Sequence, residues 1–344
     1  MQPTCQHTYD FETGIYRPPS EGGSASLLVR LTRNCPWNQC TFCAMYKMEK
    51  FSLRKPEAII QEIDAMHGVY RELVKLSRDL GTGGQLTRET VARFFQAHPD
   101  LSFHQGMGML INWLAVGGKT VFLQDADSLI MKTEQIIRVL EHLKKTFPSI
   151  ERITTYARSR TIAKKPMADL KKINAAGLNR VHIGLESGDA VLLNQIKKGA
   201  TPEDHIKGGK KALEAGFQVS EYWMPGLGGE TLSSDHAEHT ADVLNRINPH
   251  YIRSRPFTAR PGSPLYNEFK KSGFKKMAPT AQLLEIRQMI KALDVTSKVC
   301  FDHAGNYWKS PSGGYLFSHD YEGYQFPDKK QYLLERIELG LSGY

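Results

Sequence analysis

Strand-like runs separated by helical stretches recur six times along this chain, and that alternation restricts the fold more than any other feature. The runs occupy residues 27–31, 121–123, 153–156, 180–185, 217–224 and 251–255 and are rich in branched and aromatic side chains. Between them, Pro56 opens a helix with Ile59, Ile63 and Met66 on one face, and Ile136, Val139, Leu140 and Leu143 stripe the next. A further helix runs from about 202 to 215, with Gly216 placed as its stop. Strand-then-helix order implies right-handed crossovers and parallel strands, hence an α/β fold that is either a barrel or a doubly wound sheet. Function is then expected on the loops at the C-terminal ends of the strands.

One connection breaks the rhythm. From Pro56 to Gly117 the chain is far longer than a barrel crossover needs, so an insertion at about 67–116 is expected. It holds helical material near 89–96 and the apolar run 107–116, which suits a core-packing helix or an apolar wall for substrate. After the sixth run, the Pro- and Gly-rich turn at 260–264 leads into a helical tail with Leu283, Ile286, Ile290 and Leu293 on one face. A loop-rich stretch from 302 to 327 and a final helix follow. The expected organisation is an N-terminal segment 1–26, a barrel unit 27–265, and a C-terminal helical and loop extension 266–344 covering the barrel mouth.

No stretch approaches the ~20 apolar residues of a membrane span. The first residues lack the basic and apolar regions of a signal peptide, so a cytoplasmic protein is expected. A net charge of +9 allows anionic partners, nucleic acid among them. The lysine pairs, Lys197-Lys198 included, are spread along the chain at helix ends, where solvated faces explain them.

Five cysteines are too few and too unevenly placed for a disulfide framework. Cys35, Cys40 and Cys43 crowd directly after the first strand, while Cys5 and Cys300 stand alone. A structural zinc site wants four ligands, and no fourth Cys or His lies nearby. An iron–sulfur cluster accepts three thiolates and leaves one iron open to an amino-carboxylate ligand.

A three-cysteine loop at the end of strand one, with aromatic Phe42 before the last cysteine, resembles the cluster loop of the radical S-adenosylmethionine (SAM) superfamily. Here the first gap is four residues where that family usually has three. The similarity continues. The segment 117–127 resembles the second-strand region that contacts the SAM amino group, and Asp125 and Asp127 stand where that family's Gly-Gly-Glu would be. The segment 176–188 resembles the fourth strand of the branch holding the elongator catalytic subunit, the methylthiotransferases and coproporphyrinogen dehydrogenase. The resemblance implies that Glu186 binds the ribose hydroxyls and that Pro225 and Gly226 bring backbone close to the adenine. Arg158, after strand three, is a candidate partner for the SAM carboxylate. The element 302–308 resembles the end of one widespread subgroup, and His303 and Tyr307 are its candidate catalytic residues.

The resemblance implies a partial (β/α)6 TIM barrel carrying an oxygen-sensitive [4Fe–4S] cluster and SAM. It further implies a reductant such as flavodoxin or ferredoxin, and formation of a 5′-deoxyadenosyl radical that removes hydrogen from substrate. A small-molecule or lipid-like substrate fits the apolar insertion and the aromatic tail. Two alternatives stay open: the same chemistry on tRNA or a peptide, and a non-catalytic zinc-binding, RNA-associated protein.

Overall fold

The computed structural model describes residues 9–14, 26–271 and 273–343, so Cys5 and most of the expected N-terminal segment lie outside the described residues. The chain divides into two compact units: 1–33, 51–156 and 171–179 form the first, and 34–50, 157–170 and 180–344 the second.

In the first unit, β1 (Ser26–Arg30), β4 (Thr120–Gln124) and β5 (Arg152–Ala157) pair in parallel in the order β1-β4-β5. A two-residue ribbon joins β2 (Thr32–Arg33) to β3 (Ser52–Leu53). Helix α1 (Pro56–Asp79) starts on proline, whose fixed φ suits a first turn, and buries Ile59, Ile63, Met66, Val69 and Leu73 as one stripe. Each such side chain contributes about 1.5–3 kcal/mol when taken out of water. The stripe packs against α4 (Thr133–Thr146), which buries Ile136, Val139, Leu140 and Leu143.

Between α1 and β4 lie α2 (Arg88–Ala97), capped by the Thr87 hydroxyl, and α3 (Met107–Ala115). The apolar run thus forms a core helix. Met107, Leu110 and Trp113 are buried, α3 packs on β1, and the Trp113 ring meets Phe147 edge-on at 5.1 Å.

In the second unit, after 34–50, comes α5 (Ser159–Lys164); α6 (Met167–Ala175) then leads to β6 (Leu178–Glu186), which is in this unit from Arg180 on. Then come α7 (Ala190–Gln195), α8 (Pro202–Glu214), β7 (Gln218–Trp223), α9 (Ser233–Ile247) and β8 (Tyr251–Ser254). A reciprocal Thr201–Asp204 capping box starts α8, and Gly216 follows its end at φ 94°. The rest is α10 (Pro264–Lys270), α11 (Pro279–Ala292), β9 (Lys298–Cys300), β10 (Tyr324–Gln325) and α12 (Lys330–Ser342). Strands run in the order β6-β7-β8-β9-β10, all parallel except β10.

All six expected runs are strands of a mostly parallel α/β fold, the pattern of a partial barrel. A seventh parallel strand, β9, was not expected: its three residues are too few to show a period in sequence.

The strands of the second unit are sharply two-sided. Leu185, Trp223, Ile252 and Val299 join one apolar core with Leu244, Ile286, Met289, Leu333 and Ile337 of α9, α11 and α12. The opposite face is buried yet polar, with the rows His182-Ser220-Tyr251 and Gly184-Tyr222-Arg253-Cys300 running across it. Parallel strands covered on both sides ordinarily read as continuous apolar runs, so a buried polar face is a departure that needs a use.

Candidate functional site

The cysteine loop belongs to the second unit, and its own side chains shape it. Asn34 and Asn38 take left-handed backbone at φ 66° and 46°, which asparagine tolerates better than most residues. Asn34 Nδ2 donates to the Lys50 carbonyl at 2.6 Å, Asn38 Nδ2 to that of Tyr46, and Lys47 Nζ to that of Asn38 at 2.7 Å. The loop is also tied outward. Thr41 N–H donates to Ile196 O, and Leu265 N–H to Thr41 O, both at 2.9 Å. Phe42 packs on a core of Leu192, Leu193, Ile196, Met224, Leu227, Phe257 and Leu265.

The Trp37 indole donates to Lys197 O at 2.7 Å, with the Arg158 guanidinium 5.0 Å from its ring centroid. A Cβ on Gly199 would stand 2.4 Å from that ring, so this position must be glycine for the tryptophan to lie down. Arg158 Nη2 donates to the carbonyls of Lys198 at 2.9 Å and Gly199 at 3.3 Å.

Cys35, Cys40 and Cys43 are free thiols of intermediate exposure. Burial pushes the Cys40 thiol above its ordinary range; Lys198 opposes this, and Glu186 and the other two thiols add to it. Cys43 is raised by burial too, against the Met45 amide, Lys47 and Arg255. The three sulfurs therefore sit within one another's electrostatic reach. Among the described residues no group of three or more Cys, His, Asp or Glu converges on the position of a single ion. A [4Fe–4S] cluster takes one thiolate per iron, so its ligands need to ring a cube rather than meet at a point. That donor set fits the cluster.

Beside the loop, β6 ends in a bulge between Gly184 and Glu186 that turns Glu186 to φ 66°. Glu186 Oε1 accepts from Lys198 Nζ at 3.0 Å, while buried Oε2 has no hydrogen-bond partner among the described residues. A Cβ at Gly184 would lie 2.3 Å from Glu186 Oε1. Lys198, expected on a solvated helix face, is instead nearly buried and ion-paired, because the chain leaves α7 through a left-handed Lys197 that sends the two lysines different ways.

Two further groups within Lys198's field were not singled out from sequence. Glu221 is fully buried with both carboxylate oxygens unpartnered among the described residues, and burial raises it well above a normal carboxyl, with Lys198 opposing and Glu186 adding. His205 is likewise buried without a partner on either nitrogen; burial, then Lys198 and Arg158, hold it well below its usual range and keep it neutral.

Pro225 and Gly226 follow β7. Gly226, at φ 82°, donates its N–H to Glu285 Oε1 at 2.7 Å, and a Cβ there would strike Gln282 at 2.4 Å. Pro225 O accepts from Phe257 N–H at 2.8 Å.

The tail element is pinned by Asn306, which accepts from the Ser254 hydroxyl at 2.8 Å and donates to Ser254 O at 2.9 Å at the end of β8. His303 stays partly covered, and burial with the nearby charges of Arg255 and Arg260 lowers it to about 4. Tyr307 lies 57% exposed, its ring stacked along buried Trp308, and Trp308 Nε1 donates to Pro279 O at 3.0 Å. The hydrogen-bonded anchor of this element is thus Trp308, and Tyr307 beside it is left exposed.

Asp125 and Asp127 belong to the first unit. Asp125 is buried and accepts on Oδ2 from Arg30 Nε at 2.9 Å and Nη2 at 2.6 Å, so an arginine already balances its charge. Arg30 Nη1 continues to Glu12, which also takes Arg33. Burial alone would raise Glu12, but the Arg33 hydrogen bonds and the charges of Arg54, Arg33 and Arg30 outweigh it and lower the carboxyl. Asp127 is buried at the start of a short 3-10 turn and makes no side-chain cap bond there. No described helix is long and apolar enough to cross a membrane.

Residues 90–243 match the family model described as the Radical SAM superfamily, a span that begins after the three cysteines. The heme chaperone HemW of Bacillus subtilis is 23% identical over 186 residues, covering 53% of this chain and 48% of that one. The tRNA uridine(34) acetyltransferase of Methanocaldococcus jannaschii is 26% identical over 108 residues, covering 31% and 20%. The chain thus spans about half or less of the length of these relatives. Among solved structures, the Elp3 of Methanocaldococcus infernus aligns at TM-score 0.46 and 15% identity over 64% of this chain and 53% of its own. The radical SAM methyltransferase TsrM of Kitasatospora setae aligns at 0.48 and 13% over 72% and 39%. Over the matched span this chain is similar to the radical SAM superfamily, a family of enzymes that use a [4Fe–4S] cluster and S-adenosylmethionine.

Proposed function

We propose that this radical SAM enzyme acts on a small molecule held over the polar face of the second unit's sheet. The observation that carries the reading is the cysteine loop beside Glu186, whose second carboxylate oxygen is buried and unpartnered. Cys35, Cys40 and Cys43 hold the cluster. Glu186 Oε2 accepts from the SAM ribose, with Lys198 fixing the carboxylate through Oε1. Gly226, whose backbone conformation excludes a side chain, gives the adenine its close approach. Arg158 holds Trp37 and the chain after α7, which positions the loop. When bound, the cluster and SAM supply reductive cleavage to a 5′-deoxyadenosyl radical that takes a hydrogen atom from substrate, the electron coming from a flavodoxin- or ferredoxin-like donor. The apolar run that suggested a lipid-like substrate buries Met107, Leu110 and Trp113 inside the first unit, which weakens its support for a lipid-like substrate.

Anaerobic reconstitution tests this reading. About four irons and four sulfides per chain and reductant-dependent 5′-deoxyadenosine are expected, and each of Cys35→Ala, Cys40→Ala and Cys43→Ala should lose both. Zinc in place of iron, or full iron content in any of the three variants, would refute it.

A further inference from the structure

Three loops of the second unit meet beside the cysteines. The chain after β8 lies against the cysteine loop, with Leu265 N–H on Thr41 O and the Gly262 Cβ position 3.8 Å from Ala44 Cβ. The chain after β9 lies against the chain after β8, through the Asn306–Ser254 bonds and with the Gly305 Cβ position 3.3 Å from Pro256. On the two chains that follow β8 and β9 stand Arg255, Arg260 and His303, and His303 feels the charge of both arginines.

Neither arginine's guanidinium makes a hydrogen bond or ion pair among the described residues. The nearest acid in sequence to His303, Asp302, is committed to Arg253 Nη1 at 2.8 Å. His303 Nδ1 accepts the Gly305 N–H at 3.0 Å, so the neutral ring carries its proton on Nε2 and presents a donor there. Arg255 is close enough to Cys43 of the cysteine loop and to His303 of the tail for both to feel its charge. A planar fork of N–H donors, a second guanidinium and an imidazole N–H, with no carboxylate bonded to them among the described residues, match an oxygen anion in shape and sign.

We propose that Arg255, Arg260 and His303 form a binding site for an anionic oxygen group, carboxylate or phosphate, of the substrate, a site distinct from the one that takes SAM. The proposal rests on the function proposed above. The anion orients the substrate with its far end toward the cysteine loop, and Asn306 positions His303 through its bond to the His303 carbonyl at 3.0 Å.

The test uses the full chain and two probes, inorganic phosphate and succinate, titrated calorimetrically at fixed ionic strength before reconstitution. Anion binding is then read independently of the cluster, so its failure and failure of the radical SAM reading are told apart. At least one probe should bind wild type, and the stronger of the two identifies the group as phosphoryl or carboxylate. Arg255→Gln should weaken that binding by about tenfold or more, as loss of a charge-assisted pair implies. Arg255→Lys, which keeps the charge without the fork, should fall between and guards against a folding defect. In reconstituted protein, Arg255→Gln should leave iron content and SAM affinity unchanged. Absence of binding by both probes to wild type, equal binding by Arg255→Gln, or loss of SAM affinity in that variant would each overturn the proposal, the last by assigning the arginine to the SAM carboxylate.

Discussion

Glu221 offers a sharp test of how charge is buried in the second unit. It sits on β7 between Ile183 and Ile252 of the neighbouring strands, on the face that otherwise builds the apolar core. With no partner for either oxygen, its carboxyl is held protonated by burial. The folded-state pKa is raised, so between the ordinary carboxyl value of 4.5 and its own, the folded chain binds a proton that the unfolded chain has released. Stability contributed by this group is complete below 4.5 and is lost as pH rises, at about 1.4 kcal/mol per pH unit across that window. Glu221→Gln keeps the shape and removes the titration. We expect the variant to match wild type near pH 4.5 and to become more stable than wild type as pH rises above it, as read by urea unfolding at each pH. Only the difference between the two proteins matters, since other groups titrate in both. A difference that stays flat with pH would show that Glu221 ionises freely in the folded state and that the account of its burial is wrong.

Other outcomes follow from the same geometry. Glu186→Gln should weaken SAM binding with iron content unchanged, because a charged acceptor binds hydroxyls about twice as strongly as a neutral one; equal SAM affinity in equilibrium dialysis would contradict the ribose role. Trp308→Ala removes a buried ring and its bond to Pro279, and should cost about 3–5 kcal/mol in denaturant unfolding. Cys300, buried and with its thiol pushed up to about 12 by burial, should resist iodoacetamide in the folded protein at pH 8, and mass spectrometry detecting rapid alkylation there would refute that burial.

What could be read in sequence was what local pattern encodes. Six strands announced themselves through runs of branched and aromatic residues, and α8 through Pro202 and Gly216. The three cysteines declared a metal by spacing alone. What escaped depends on neighbours far along the chain. Arg30 stands one strand from Asp125, so no local motif showed that an arginine occupies the carboxylate expected to take an ammonium group. Lys198 looked like half of a surface lysine pair until the bulge at Glu186 brought a carboxylate to it. Glu221 and His205 read as ordinary polar positions, because their lack of partners is a property of the packed unit.

The fastening of the cysteine loop sets what cofactor loading has to do. Its backbone is tied to Ile196 and Leu265, its asparagines close it on Tyr46 and Lys50, and Trp37 lies clamped between Gly199 and Arg158. Ordering a free loop costs about 1–2 kcal/mol per residue in backbone entropy. Here that cost is met when the chain folds, so the iron–sulfur group proposed for these thiols would be assembled on an ordered receptor, its binding energy going into holding metal rather than into shaping the protein around it.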